Sequence, residues 1–286
     1  MKNVGYYNGK MDVIEKMTIP MNDRVVYFGD GVYDATYALN RHMYEAERHI
    51  DRFYNSLRLL EIPFGMEKDA LRAELQKCVD AIDTDGEVMV YWQATRGTGM
   101  RSHVFPEAGG ENLLITVRPV PLVRLHTPMK LITMEDTRFL HCNIKTLNLI
   151  PSVIANQRAK EAGCAEAVFH RGERVTECAH SNVQILKNGV FITPPTDNLI
   201  LPGITRRHLL DVCARLNIPA EIRPFTVAEL LDADEIIVSS AGTLGIGACS
   251  VDGQSVGGKA QGLLRTIQHA MVDDFIRETG RNIDLV

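Results

Sequence analysis

The chain has no CxxC pair, no long apolar run and no excess of positive charge, and each absence removes a class of function. Its six cysteines, Cys78, Cys142, Cys164, Cys178, Cys213 and Cys249, are scattered, which argues against a disulfide framework and against a zinc cluster. They read as reduced thiols, mostly filling the core. No stretch approaches the ~18 apolar residues of a membrane span. The start, "MKNVGYYNGK", has no long apolar segment behind its lysine, as a signal peptide would need. The expectation is a cytoplasmic protein with no membrane partner. With 31 Lys and Arg against 36 Asp and Glu, the formal net charge is −5. No broad basic field exists to coat nucleic-acid phosphates, so any bound anion must be met by locally placed groups. Internal repeats and low-complexity tracts are also missing.

What is present is a core-forming sequence of 286 residues, 45% hydrophobic, long enough for one large domain or, more naturally, two of moderate size. Asn8-Gly9 supplies the positive φ of a tight turn between two short strand-like runs, and "GVYDATYALNRHMY" reads as two strands joined at Asn40-Arg41. Ile50, Phe53, Leu57 and Leu60 recur at helical spacing and stop before Pro63; Leu71, Leu75, Val79 and Ile82 mark a second amphipathic helix. Two more strand-like runs, "EVMVYWQAT" and "NLLITV", complete a first unit. The two prolines of "RPVPLV" then disfavour helix and interior strand. This places a smaller N-terminal domain over 1–118, a linker over 119–124 and a second, larger domain over 125–286.

That second half opens with the strand "MKLITM" and a helix from about Leu149 to Ala162 ended by Gly163. Strands "AEAVFH" and "RVTE" follow across Arg171-Gly172, then a hairpin at Asn188-Gly189. A helix N-capped by Thr205 follows, and a last helix covers about Lys259 to Glu278. Hairpins mixed with helices, in place of a regular βαβ alternation, predict an α+β fold and not a Rossmann sheet.

Four stretches invite chemistry. In "FLHCNIKTLNLIPSV", Lys145 stands among Phe139, Leu140, Ile144, Leu147, Leu149 and Ile150. A desolvated amine sheds its proton readily and becomes the nucleophile that forms a Schiff base with an aldehyde, whereas a lysine that snorkels from a strand edge does nothing of the kind. Both readings are open from this stretch. Glu177 ends a strand-like run and faces Ala179, Ser181 and Asn182, as a surface glutamate near a turn or as a carboxylate for a cofactor's ring nitrogen. "LPGITRRHLL" leads through a glycine turn into a helix whose first N–H groups, at Ile204 and Thr205, and whose Thr205 hydroxyl can meet an anion. "VSSAGTLGIG" follows a strand, with Ser240 as a hydroxyl donor.

In this order, "FGDGVYD", "HIDR", "IKTLNL", "TECAHSN" and "LPGITR" resemble the fold-type IV pyridoxal-phosphate enzymes, the family of D-amino acid aminotransferases, branched-chain aminotransferases and aminodeoxychorismate lyases. The similarity runs from about Gly5 to the last helix. It implies two domains, the first α/β and the second a cofactor-binding domain with a mixed, barrel-like sheet. It implies pyridoxal 5'-phosphate as cofactor, with Lys145 as its Schiff-base lysine and proton shuttle and Glu177 on the pyridine nitrogen. Arg52, Ile204 and Thr205 fall to the phosphate, with Ser240 and Ala241 in a second phosphate loop, and Leu201 lies behind the ring. Arg101 and His103 resemble the Arg-x-His pair with which D-amino acid aminotransferases trap the substrate α-carboxylate from the neighbouring subunit, together with the tyrosine matching Tyr33.

A homodimer with shared sites and an exchange of amino groups between D-amino acids and 2-oxo acids follow from that likeness. An L-branched-chain aminotransferase and an aminodeoxychorismate lyase are the rival activities. Two departures bear on specificity. Ala241-Gly242 stands where relatives often carry a hydroxyl residue, and His180 replaces a commonly small residue beside the substrate.

Overall fold

The Asn8-Gly9 turn forms as the sequence requires. In a computed structural model of the chain, which describes residues 1–107 and 110–286, Asn8 (φ +46°) and Gly9 (φ +90°) join β1 (Val4–Tyr7) to β2 (Lys10–Asp12). The chain condenses into two units. The first comprises Met1–Pro121, Ile144–Asn148 and Glu278–Arg281. It continues with α1 (Arg24–Phe28), β3 (Gly31–Leu39), β4 (His42–Met43), α2 (Ala46–Leu59), α3 (Lys68–Asp80), β5 (Val88–Thr95) and β6 (Asn112–Pro119). Asn40 (φ +52°) and Arg41 (φ +64°) make the β3–β4 turn. The strands form one antiparallel sheet in the order β2-β1-β6-β5-β3-β4. Helical spacing puts Ile50, Phe53 and Leu57 of α2, and Leu71, Leu75 and Val79 of α3, into one core with Val90, Trp92 and Ile115 of the sheet.

The last strand of that sheet, β4, is only two residues long and pairs with Ala38 and Leu39 alone, so the opposite end of β3 keeps an open edge. The segment Ile144–Asn148 fills it. Tyr33 N–H donates to the Lys145 carbonyl at 2.9 Å and Leu147 N–H to the Gly31 carbonyl at 3.1 Å, about a bridge between Val32 and Thr146. Gly31 is required here, because a Cβ would lie 2.6 Å from the Ala94 carbonyl oxygen and 2.8 Å from the Leu147 side chain. Edge pairing therefore draws the Lys145 segment into the first unit, although the residues on either side of it belong to the second.

The second unit comprises Leu122–Asn143, Leu149–Arg277 and Asn282–Val286. Its elements are β7 (Met129–Glu135), α4 (Ile150–Glu161), β8 (Glu166–Arg171), β9 (Arg174–Cys178), β10 (Asn182–Lys187), β11 (Val190–Thr193), α5 (Ile204–Arg215), β12 (Ala220–Ile222), α6 (Val227–Leu231), β13 (Glu235–Ser239), β14 (Ile246–Val251), β15 (Gln254–Ser255) and α7 (Gln261–Thr279). The sheet order is β12-β11-β10-β13-β14-β7-β8-β9, with β15 on β14. β7 runs parallel to both β14 and β8, and β11 parallel to β12, so the sheet is mixed. β9 closes one end of this order, yet only Ala179, His180 and Ser181 separate it from β10, and Cys178 N–H donates to the Ser181 carbonyl at 2.8 Å. A connection that short forces the sheet to curl until β9 returns to β10, which gives the barrel-like form expected. Apolar residues of α5 and α7, among them Leu209, Val212, Ile267 and Met271, cover Ile237 and Phe191 on it.

Two local expectations change. The β8–β9 turn is Gly172-Glu173 and not Arg171-Gly172, because Arg171 is itself paired with Arg174; Gly172 supplies the positive φ, +54°. Thr205 does not cap α5: Gly203 holds the cap position, no side chain bonds there, and Thr205 is the second helical residue. Among the described residues no helix is long and apolar enough to cross a membrane.

Candidate active site

The apolar wrapping anticipated for Lys145 is supplied only in part by its sequence neighbours: Ile144 is buried in the first unit's core, but others are open to solvent. Phe139, Leu140 and Ile150 are 43%, 53% and 69% exposed. Edge pairing with β3 turns the lysine toward other groups: its Nζ lies 4.3 Å from the centroid of the Tyr33 ring, and its N–H donates to Ser56 Oγ of α2 at 3.2 Å. Tyr33 in turn stacks on Tyr91 with centroids 5.5 Å apart. Among the described residues the ammonium of Lys145 has neither a carboxylate partner nor a hydrogen-bond acceptor. A half-buried amine resting only on a ring face is available for bonding to something else.

Beside it in the same unit, Arg52 and His49 sit three residues apart on the buried face of α2 and converge on Asp34 of β3. Arg52 grips Asp34 with two hydrogen bonds, 2.9 Å from Nε and 2.8 Å from Nη2, and His49 Nδ1 lies 2.7 Å from Asp34 Oδ1. Burial pushes the Asp34 carboxyl up, but Arg52 and His49 outweigh burial and hold it well below the usual carboxylate range. Burial lowers His49, against the pull of Asp34, and the charges of Arg52 and Lys145 lower it further. Asp34 and His49 are positioning groups that residue-type reasoning did not single out. The signal was the His-x-x-Arg spacing on an apolar helix face.

Arg101 and His103 are exposed, in the loop between β5 and β6, and both rest against Phe28 at the end of α1. The Arg101 guanidinium carbon lies 5.3 Å from the Phe28 centroid and the His103 ring 5.3 Å from it. Neither bonds to Tyr33 or Lys145 of its own chain among the described residues.

In the second unit, Glu177 at the end of β9 is buried and held on both oxygens. Oε2 accepts from Asn182 Nδ2 at 2.9 Å and from Leu201 N–H at 3.0 Å, and Oε1 accepts from Arg138 Nη1. Asn182 also donates to the Leu201 carbonyl at 3.0 Å, so Leu201 is fixed through both of its peptide groups. Arg138 is a residue the sequence reading missed. It clamps Asp136 bidentately at 2.9 Å from Nε and from Nη2, donates to the Leu199 carbonyl at 3.2 Å, and lies 4.7 Å over Phe169. Burial works to lower its pKa, but Asp136 and Glu177 overcome that and raise it. Asp136 is correspondingly held low against burial. A permanently charged guanidinium next to Glu177 favours the ionised carboxylate there.

His180 lies in the short β9–β10 turn, about half exposed, with Nδ1 2.9 Å from Oε2 of the fully buried Glu166 and 3.1 Å from Ser181 Oγ, which also donates to Glu166 at 2.9 Å. The histidine is therefore oriented from behind by a buried acid. Ile204 and Thr205 begin α5, whose first-turn N–H groups have no side-chain cap. Gly203 must be glycine, since a Cβ would fall 1.9 Å from Asn182 Oδ1. Ser240 and Ala241 lie in the turn after β13, where Thr243 Oγ1 accepts from Ser240 N–H at 2.8 Å and lies 3.1 Å from Ser240 Oγ. Its hydroxyl is thus tied to Thr243.

Each unit, taken by itself, carries groups suited to part of an aldehyde cofactor with a basic ring nitrogen and a phosphate. The first unit offers an unpaired amine and a guanidinium fixed by a carboxylate. The second offers a buried, cation-paired carboxylate and an uncapped helix start.

Residues 31–251 match the family model described as Amino-transferase class IV. Over 271 residues the chain is 36% identical to a D-alanine aminotransferase of Listeria innocua, covering 92% of this chain and 93% of the relative. Over 282 residues it is 33% identical to a D-alanine aminotransferase of Bacillus licheniformis, covering 97% and 99%. Its fold is similar to the branched-chain amino acid aminotransferase of Escherichia coli, with a TM-score of 0.85 at 20% identity over 99% of this chain and 97% of that one. It is also similar to the PLP-bound form of a hypothetical aminotransferase from Mycobacterium tuberculosis, with a TM-score of 0.83 at 20% identity over 95% and 99%. The chain belongs to the class IV aminotransferases, and its fold is that of the fold-type IV enzymes.

Proposed function

We propose that this chain carries pyridoxal 5'-phosphate and transfers the amino group of a D-amino acid such as D-alanine to a 2-oxo acid such as 2-oxoglutarate, in two ping-pong half-reactions. When bound, the cofactor supplies an electrophilic aldehyde carbon and a cationic ring that takes up electrons from a breaking Cα–H bond. Lys145 holds the aldehyde through Nζ and, once the substrate amine takes its place, receives the Cα proton on that same nitrogen. Glu177, kept ionised by Arg138, presents its charge to the ring nitrogen, and Leu201 packs behind the ring. Arg52, oriented by Asp34, and the first N–H groups of α5 at Ile204 and Thr205 hold the phosphate, with the Ser240-Ala241 turn as a second, weaker contact. Tyr33 with Arg101 and His103 takes the α-carboxylate, and His180 borders the substrate side chain.

The observation that carries this reading is the Lys145 amine, half-buried on Tyr33 with no acid partner among the described residues. The similarity to two D-alanine aminotransferases, at 36% and 33% identity, supports the D enantiomer. Arg101 and His103 are exposed, rest on Phe28 and bond to no residue of their own Tyr33 or Lys145 site among the described residues, and Met100 and Val104 of the same loop are 83% and 75% exposed, which supports a homodimer in which the pair serves the neighbouring subunit. Free thiols at all six cysteines agree with the cytoplasm.

The test is turnover of paired D- and L-donors by the cofactor-loaded protein. D-alanine with 2-oxoglutarate is expected to yield pyruvate, and L-leucine is expected to yield little oxo acid. Preference for L-leucine would assign the branched-chain activity, and pyruvate released from aminodeoxychorismate without an acceptor would assign the lyase.

A further inference from the structure

We infer that Arg24, backed by Asp30 and Arg96, is the positioning residue that holds Arg101 and His103 as a preformed carboxylate trap; the inference rests on the trap assigned above. Arg24 opens α1 and is almost wholly buried, whereas Arg101 and His103 are exposed. It grips the loop between β5 and β6 at two places. Its backbone N–H donates to the Gly97 carbonyl at 2.9 Å, at the loop base, where Gly99 N–H also returns to the Asn22 carbonyl at 2.9 Å. Its Nη1 donates to the Ser102 carbonyl at 2.8 Å and the Val104 carbonyl at 3.3 Å, the carbonyls of the two residues that flank His103.

The charge of Arg24 is met by Asp30, 2.7 Å from Nε. The same carboxylate accepts from Arg96 Nε at 3.0 Å; Arg96 donates to the carbonyls of Leu60 and Glu61 at 2.7 Å each and lies 3.7 Å over the Phe105 ring. An acid only 14% exposed, held between two guanidiniums, thus fastens the loop to the first unit. Phe28, in the same helix as Arg24, is the platform under Arg101 and His103. Arg101 has no carboxylate partner among the described residues, so its fork is kept for a ligand, whereas the donors of Arg24 are spent on the loop. Without the clamp, a segment carrying Gly97 and Gly99 would have to be ordered anew in each binding event, and the cost would fall on substrate affinity.

The experiment is a cycle of Arg24→Ala, Arg101→Ala and the double variant in the cofactor-loaded enzyme, with Arg24→Lys as the conservative replacement. KM and kcat are read separately for D-alanine and 2-oxoglutarate. Arg24→Ala is expected to raise both KM values about 10- to 100-fold with kcat changed less than about threefold. Arg24→Lys should recover part of that rise, and the double variant should be only slightly worse than Arg101→Ala, because His103 alone is left for the clamp to position. Native KM values in Arg24→Ala, or effects that multiply in the double variant, overturn the clamp and leave the trap standing. Native KM values in Arg101→Ala, or no turnover of D-alanine by the parent enzyme, overturn the trap itself. Should Arg24→Ala fail to fold, Arg24→Lys decides: a raised KM at an unchanged melting temperature supports the clamp, and a native KM overturns it.

Discussion

Glu177 shows what a single buried acid needs in order to stay useful. A carboxylate out of water tends to take up a proton, and Arg138, Asn182 and the Leu201 amide together oppose that. Replacing Glu177 by Gln keeps the shape and removes the charge, while Arg138 retains Asp136 as a counter-ion. The variant is therefore expected to fold and bind pyridoxal phosphate but to slow the half-reaction with D-alanine about 10²-fold. Rapid-mixing absorbance measures this, and a half-reaction at full speed would contradict the role. The role of Glu177 could be proposed from its residue type and flanking small residues, but Arg138 could not. Arg138 is 39 positions away, and only the return of β9 alongside β8 brings the two together.

At the scale of elements, the tie between β3 and α2 is made of charge and not only of apolar packing. Asp34→Asn would leave the Arg52 guanidinium buried without its acid, a loss of about 3–5 kcal/mol in unfolding free energy, to be read from urea unfolding at pH 7. Parent-like stability would contradict it. The pH dependence has a definite sign. Asp34 is depressed in the folded chain, so its contribution is complete above the unfolded value of ~3.9 and is lost as pH falls toward the folded value. His49 is also depressed, so below ~6.5 the unfolded chain takes up its proton first and stability again declines with acid. The parent should thus lose stability steadily from about pH 6.5 downward, and Asp34→Asn should lack the steep acidic part.

Elements set by local rules were legible in the sequence: the Asn8-Gly9 and Asn40-Arg41 turns, the faces of α2 and α3, and Gly163 after α4. Those set by distant pairing were not. The open edge of β3 decides where Lys145 points, Asn182 decides why Gly203 is glycine, and the Arg171–Arg174 register moves a turn by one residue.

For the whole molecule, the decisive expectation is that Arg101 acts on the site of the other subunit. Lys145→Ala and Arg101→Ala are each expected to be poorly active alone. If trap and lysine come from different subunits, a mixed dimer rebuilds one intact site, and random exchange should restore about a quarter of the parent sites. No recovery on mixing would place the pair in its own subunit's site. The family and its fold class were readable from five short motifs taken in order, because together they combine backbone and charge constraints that few sequences satisfy. The curl that returns β9 to β10 was reachable only through the resemblance.

All three scales depend on Lys145 being the residue that bonds the cofactor. Borohydride reduction of the pyridoxal-phosphate-loaded protein, followed by peptide mass mapping, tests this most directly. One stable pyridoxyl adduct is expected, on Lys145, and none in Lys145→Ala. A colourless protein without an adduct, or an adduct on another lysine, would contradict it.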